Sequence, residues 1–252
     1  MITVASKPEI ARMRESCHMA ARVRDELRER IRPGVETREL DDFVVGRLSQ
    51  LGGQPAFKGY RGYPANICVS VNEEVVHGIP GRRVLKAGDL VSVDMGVLFE
   101  GFYADTAVSV VAGSADEASS RLMAVTLEAL RAGIRAARAG QHVSDISHVV
   151  QVTAERAGYS VVREFVGHGI GRRMHEDPQI PNYGDPGRGQ VLVEGQTLAI
   201  EPMVNEGVPG VRVLEDGWTA VTADGKRSAH FEHTILVRKG EPEVLTSLDG
   251  GV

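Results

Sequence analysis

Apolar residues recur at helical spacing through Ile10, Met13, Cys17, Ala20, Leu27 and Ile31. Ser6 and Glu9 form a capping box ahead of them and Pro33-Gly34 stops the run, which predicts a first helix. Thr37 opens a second helix with Leu40, Phe43, Val44, Leu48 and Leu51 turned inward, closed by Gly52-Gly53. The period then shortens. Residues 67–71 read as a strand followed by the turn-rich 75–80, with His77 at the junction. Residues 90–97 and 102–111 read as a hairpin around Glu100-Gly101, a pair suited to a tight turn.

The second half repeats this plan. Ser114 and Glu117 offer another capping box, Leu122, Val125, Leu130 and Ile134 define a helix, Ala139-Gly140 breaks it, and a further helix covers 146–156. Arg32-Pro33-Gly34 aligns with Arg138-Ala139-Gly140, and Leu40 with Ile146, at an offset of about 106 residues. The same offset carries Asp94 to position 200, beside Glu201. Two similar halves therefore meet at a shared site, and with no linker-like segment between them residues 1–252 read as one domain.

Carboxylates interrupt the apolar pattern where it is strongest. Asp94, Asp105, Glu201 and Glu232 each sit within or at the end of a strand-like run. Acidic residues are depleted from strands, and burying one costs several kcal/mol unless it is paired or binds a metal. With a two-residue turn, residue 94 faces 107 and residue 105 shares the parity of 107, so Asp94 and Asp105 project from one face as near neighbours. The stretch 166–178 adds two histidines, with Gly167, Gly169 and Gly171 crowding His168. That glycine density predicts a ligand loop that backbone or ligand approaches closely.

The composition, 252 residues with 42% hydrophobic, fits a globular chain with a substantial core. A net charge of -5 and a pI near 5.9 give no support for nucleic-acid binding. The arginine-rich 22–32 stretch lies on the first predicted helix among Asp25, Glu26 and Glu29 and reads as a solvated face. Two cysteines, Cys17 and Cys68, fall in no Cys-x-x-Cys pair, which points to a reducing compartment. The N-terminus lacks the features of a signal peptide, and no apolar run approaches the roughly 18 residues of a membrane span, so a cytoplasmic location is expected.

Asp94, Asp105, His168, Glu201 and Glu232 together supply up to four negative charges and one imidazole, nearly balancing two divalent cations. Carboxylate-rich ligation with a single nitrogen suits Mn, Fe, Co or Zn. Two such ions can share a hydroxide, lower its pKa and polarise a carbonyl, which makes the expected class a hydrolase.

The segments Asn72-Glu73-Glu74-Val75-Val76-His77-Gly78-Ile79-Pro80, Ser92-Val93-Asp94-Met95-Gly96, Tyr103-Ala104-Asp105, Gly167-His168-Gly169-Ile170-Gly171, Ala199-Ile200-Glu201-Pro202-Met203 and Phe231-Glu232-His233-Thr234 resemble those of bacterial type I methionine aminopeptidases. The resemblance spans about residues 9–237. It implies the pita-bread fold, an α+β architecture of two pseudo-symmetric halves with a curved antiparallel sheet and helices on its outer face. The implied activity is removal of the initiator methionine from nascent polypeptides when the second residue is small, by attack of a metal-bridging hydroxide.

Carried over residue by residue, the resemblance makes Asp94, Asp105, His168, Glu201 and Glu232 the ligands of two divalent ions. It also makes Glu201 a proton shuttle, sets His175 against the scissile carbonyl oxygen and His77 against the following amide, and builds a methionine pocket from Phe57, Tyr60, Tyr63, Cys68, Met174 and Trp218. Met174 stands where relatives usually have phenylalanine, and Arg61 where they often have histidine. The implied partners are nascent N-termini, with the ribosome as a further candidate, and the implied state is a monomer. The same fold and ligands belong to the proline-specific aminopeptidase P and prolidase, which usually carry an added N-terminal domain for which a first helix near Ser6 leaves no room. Non-catalytic peptide- or ribosome-binding relatives typically lose ligands, and none is missing here.

Overall fold

The computed structural model describes residues 5–251, so the first four residues of the N-terminal reading lie outside the described chain. In order, the first half carries α1 (Lys7–Arg28), α2 (Thr37–Leu51), β1 (Gln54–Pro55), a 3-10 turn (Tyr60–Gly62), β2 (Cys68–Val71), β3 (Glu74–Val76), β4 (Leu90–Phe99) and β5 (Phe102–Val111). The second carries α3 (Glu117–Ala136), α4 (Val143–Arg156), β6 (Ser160–Val161), β7 (Val166–Gly169), β8 (Glu176–Pro181), β9 (Thr197–Ile200), β10 (Met203–Asn205), β11 (Val211–Val213), β12 (Ala220–Thr222), β13 (Ser228–His230), β14 (Glu232–Leu236) and β15 (Glu243–Val244).

The ends of the helices follow local chemistry. At α1 the Glu9 carboxylate accepts from the Ser6 amide at 2.8 Å and hydroxyl at 2.6 Å, and α2 closes on Gly52 with φ 80°, where the missing Cβ removes the steric penalty. The third helix corrects the sequence reading. Its N-cap is Asp116, whose carboxylate accepts from the Ser119 amide at 2.7 Å, and Ser114 lies outside the helix. Nor is the 22–32 stretch solvated throughout: Arg24 turns inward and donates to the Thr106 hydroxyl at 2.9 Å and the Thr246 carbonyl at 3.0 Å.

The main sheet runs β1-β4-β5-β14-β9-β7-β8, with β2 added on β4 and β15 on β14. Every pairing in it is antiparallel. Alternation divides β4 between its two faces: Val93, Met95 and Val97 join the main core, where α1 packs on β4 and β5, while Asp94 has the opposite parity. A second, smaller apolar cluster of Tyr63, Ala65 and Cys68 with Phe57, Ile79 and Trp218 gathers beside Asp94, since Cys68 pairs directly with it across β2 and β4.

The internal repeat is visible in the backbone. The Gly34 amide donates to the Leu85 carbonyl at 2.8 Å, and the Gly140 amide to the Leu192 carbonyl at 2.9 Å. Isolated bridges join Glu36 to Val84 and His142 to Val191. These equivalents are 106 or 107 residues apart, matching the offset read from the sequence. The centre of the repeat is the β5–β14 seam, where the two halves join.

Candidate metal and substrate site

Four neighbouring strands of the sheet carry one candidate donor each, and the fifth donor directly follows a strand between them. Asp94 on β4 pairs with Ala107 on β5, and Ala107 pairs with Glu232 on β14. Directly opposed residues share a face, so Asp94, Ala107 and Glu232 form one row, and Asp105 joins them two residues along β5. Glu201 follows the last residue of β9, whose Ile200 pairs with His233, and His168 on β7 pairs with Ala199. The predicted facing of 94 on 107 is the observed register.

The stretch around His168 is a strand, not the expected loop. It is sandwiched between β8 and β9, and its glycines answer to that crowding. A Cβ at Gly167 would stand 2.5 Å from the Ala199 carbonyl oxygen, and one at Gly169 would collide with the Asp177 carbonyl.

The donors converge in the interior. One ligand atom each of Asp105, His168 and Glu232 lie within 4.8 Å of one another, a cluster that does not extend to Asp94 and Glu201. His168 Nε2 is 3.6 Å from Glu201 Oε1 and 3.8 Å from Asp105 Oδ2. Burial pushes the Asp94 carboxyl up to about 7. Burial, then repulsion from their acidic neighbours, raises Asp105, Glu201 and Glu232 well above the usual carboxylate range. Burial also holds His168 down to about 4, and so neutral.

These residues fit divalent cations. Asp94 Oδ1, Asp105 Oδ1 and Glu232 Oε1 are buried and have no hydrogen-bond partner, although buried carboxylate oxygens are normally satisfied. His168 Nδ1 lies 2.9 Å from the Gly169 carbonyl, which can only accept, so the ring proton sits on Nδ1 and the Nε2 lone pair faces Asp105 and Glu201. A lone pair aimed at two carboxylates is repulsive. A cation between them converts the whole arrangement to attraction, and a backbone carbonyl fixing the tautomer is the usual support of a metal-binding histidine. Carboxylates with one imidazole make a donor set suited to a divalent metal ion.

Phe57, Tyr60, Tyr63, Cys68 and Trp218 line one cavity together with the acids, and Arg61, His77 and His175 line it as well. Trp218 meets Tyr63 edge-on at 5.1 Å, and the Tyr63 hydroxyl is within reach of the Ile67 carbonyl at 3.1 Å and the Gly78 carbonyl at 3.0 Å. Met174 does not line this cavity. It is 1% exposed, and its terminal methyl lies behind the wall near Gly96 and Phe57. A second cavity shares His77, Asp94, His168, His175 and Glu201 and leads out past Phe165, Arg173 and Gln179.

His77 has φ 60° and packs edge-on against Phe165 at 5.1 Å. The His175 ring lies 4.1 Å from that of His168, and burial, followed by the charges of His168, Arg61 and His77, lowers it to about 3. Burial lowers His77 as well.

Two features escaped the sequence reading. His230 is buried, its Nε2 has no partner, and it lies 3.9 Å from Glu201 Oε2. Its signal was available, as a polar residue two positions from Glu232 in an apolar run. Thr234 braces the site from beneath, its hydroxyl donating to the Asp105 carbonyl at 2.8 Å and accepting from the Asp105 amide at 3.1 Å. Nothing local marks that role.

Comparison with known proteins bears on this geometry. The chain matches the metallopeptidase family M24 over residues 11–239. It is 47% identical to methionine aminopeptidase 1 of Bacillus subtilis over 246 residues, covering 98% of this chain and 99% of that one. It is 46% identical to the methionine aminopeptidase of Clostridium perfringens, with the same coverage. The crystal structure of methionine aminopeptidase from Thermotoga maritima superposes with a TM-score of 0.96 at 49% identity, covering 98% of this chain and all of that one. Prolidase from Pyrococcus furiosus superposes with a TM-score of 0.80 at 24% identity and is covered over 65% of its length, a likeness of fold alone. Full-length identity near one half, the pita-bread architecture and the buried carboxylate–histidine cluster agree, and the chain belongs to metallopeptidase family M24, among the methionine aminopeptidases.

Proposed function

We propose that this chain acts as a single-domain, monomeric cytoplasmic aminopeptidase that removes the initiator methionine from nascent polypeptides whose second residue is small. The observation that carries the reading is the convergence of five donors, on or directly after five adjacent strands, in the lining of a cavity that also holds aromatic side chains. Asp94, Asp105, His168, Glu201 and Glu232 would hold two divalent ions from among Co, Mn, Fe and Zn. When bound, these supply a water of lowered pKa and polarise the scissile carbonyl.

The chain's own residues do the rest. Phe57, Tyr60, Tyr63, Cys68 and Trp218 receive the methionine side chain, backed by Met174. His175, neutral and lining the cavity, donates a hydrogen bond to the carbonyl oxygen as negative charge develops. His77 faces the following amide. The Glu201 carboxylate takes a proton from the attacking water and passes it to the leaving amine. Contact with the ribosome would bring the enzyme to its substrate as the chain emerges.

Hydrolysis of Met-Ala-Ser followed by mass spectrometry tests the reading. Turnover is expected to vanish after chelation and return with Co or Mn, with metal analysis giving two ions per chain. Persistent turnover by verified metal-free protein would exclude it.

A further inference from the structure

Tyr60 has been counted as one wall of the methionine pocket, a role that needs only its ring. Its hydroxyl does something else. The oxygen lies 2.9 Å from His175 Nδ1, and the two rings are stacked at 5.2 Å with their planes 10° apart. Among the described residues this is the only hydrogen bond that the structure gives the Tyr60 hydroxyl, and a phenol can donate to an imidazole nitrogen that carries no proton.

The backbone around Tyr60 is closely constrained. Gly59 (φ 84°), Arg61 (φ 50°) and Gly62 (φ 92°) all take left-handed conformations, and Arg61 does so with a side chain. Four main-chain hydrogen bonds close the turn: Tyr60 to Phe57 at 2.9 Å, Gly62 to Gly59 at 3.1 Å, Tyr63 to Tyr60 at 2.9 Å and Gly59 to Tyr63 at 2.8 Å. Left-handed geometry at a non-glycine residue persists where surrounding structure determines it, and such positions gather at functional sites. The pocket wall alone does not require it, since an aromatic ring can be presented from unstrained backbone.

A neutral imidazole has one N–H, and the partner of one nitrogen decides which nitrogen carries it. A donor on Nδ1 leaves the proton on Nε2. An acceptor there would pull the proton to Nδ1 and leave Nε2 a lone pair, which repels a developing oxyanion instead of stabilising it. We propose that Tyr60 is a positioning residue for His175: its hydroxyl donates to Nδ1 and thereby keeps the proton on Nε2, the nitrogen left for the scissile carbonyl. The inference rests on the role proposed for His175 at that carbonyl. It also gives Tyr60 two separable functions, a ring for the pocket and a hydroxyl for the chemistry.

Tyr60→Phe separates them, because the phenyl ring preserves the wall and the stacking. We expect kcat to fall about tenfold with KM within about twofold, as befits one hydrogen bond that matters in the transition state. In protein labelled with 15N-histidine, the ring-nitrogen shifts of His175 should report a single Nε2–H tautomer in the wild type and a mixture in Tyr60→Phe. In the double variant with His175→Ala, the tyrosine substitution should cost nothing further, since its effect passes through the imidazole. Unchanged kcat in Tyr60→Phe while His175→Ala loses turnover would overturn the inference alone, as would a change confined to KM. Full turnover by His175→Ala would remove the role of His175 itself, and the inference with it.

Discussion

Ala107 stands between Asp94 and Glu232 in the row that crosses the β5–β14 seam, and it is 3% exposed. It faces the same side as the acids, and its small side chain takes up little room between them. A larger apolar side chain there competes with a cation for that space. Ala107→Leu should remain folded, at an overpacking cost of ~1–3 kcal/mol, but should retain far less metal than the wild type after identical loading. Elemental analysis with a thermal melt checks this. Wild-type metal content and turnover in the leucine variant would show that the space lies elsewhere.

At the scale of the element, the turn between β11 and β12 is built around one carboxylate. Asp216 Oδ1 accepts from the amides of Trp218 at 2.8 Å and Thr219 at 2.9 Å, and Oδ2 accepts the Thr219 hydroxyl at 2.6 Å. These bonds set the direction in which the hairpin presents Trp218 to the pocket. Losing such bonds costs about 1 kcal/mol each, and the loss falls on the part of the cavity that Trp218 lines with Phe57 and Tyr63. Asp216→Ala should therefore raise KM for methionine peptides roughly fivefold with little change in kcat, while Asp216→Asn, which keeps an acceptor oxygen, should raise it less. Trp218 is the only tryptophan of the chain, so its emission reports directly. A shift to longer wavelength is expected in the alanine variant, and unchanged emission and KM would make Asp216 a turn residue only.

Across the whole molecule, the dominant electrostatic feature is the stack of raised carboxyls where the two halves meet. A carboxyl whose folded pKa lies above its unfolded value contributes most stability at low pH, below the unfolded value. That contribution is lost as pH rises through the folded value, about 7 for Asp94. Bound cations remove this loss because they bind the ionised form, and each proton they displace is worth about 1.4 kcal/mol per pH unit. The buried histidines shift the other way, His168 to about 4 and His175, His230 and His233 to about 3, so in the folded protein they are already neutral across the window from pH 6 to pH 8. The rise in melting temperature on saturation with Mn should therefore be larger at pH 8 than at pH 6. Calorimetry at the two pH values checks it, and an equal rise would mean that the acids are already ionised before metal binds.

The sequence by itself determined most of the elements and singled out the acids that the fold buries together. Helical spacing and its stops placed α1, α2 and α4, because these depend on residues within about a turn of one another. The Glu100-Gly101 pair set the β4–β5 register, and a repeat in the turns exposed the two halves. Asp94, Asp105, Glu201 and Glu232 were conspicuous because charge in an apolar strand is costly without a partner. Only the tertiary structure decided the rest. It made the His168 segment a strand by pairing it on both edges, and it capped α3 with Asp116 because the chain leaving β5 presents that residue to the first turn. It set Met174 behind the pocket wall, and it joined the Tyr60 hydroxyl to His175 across 115 residues of chain. Contacts of that span depend on the order of strands in the sheet and on which face each strand turns inward, and no local periodicity carries that information.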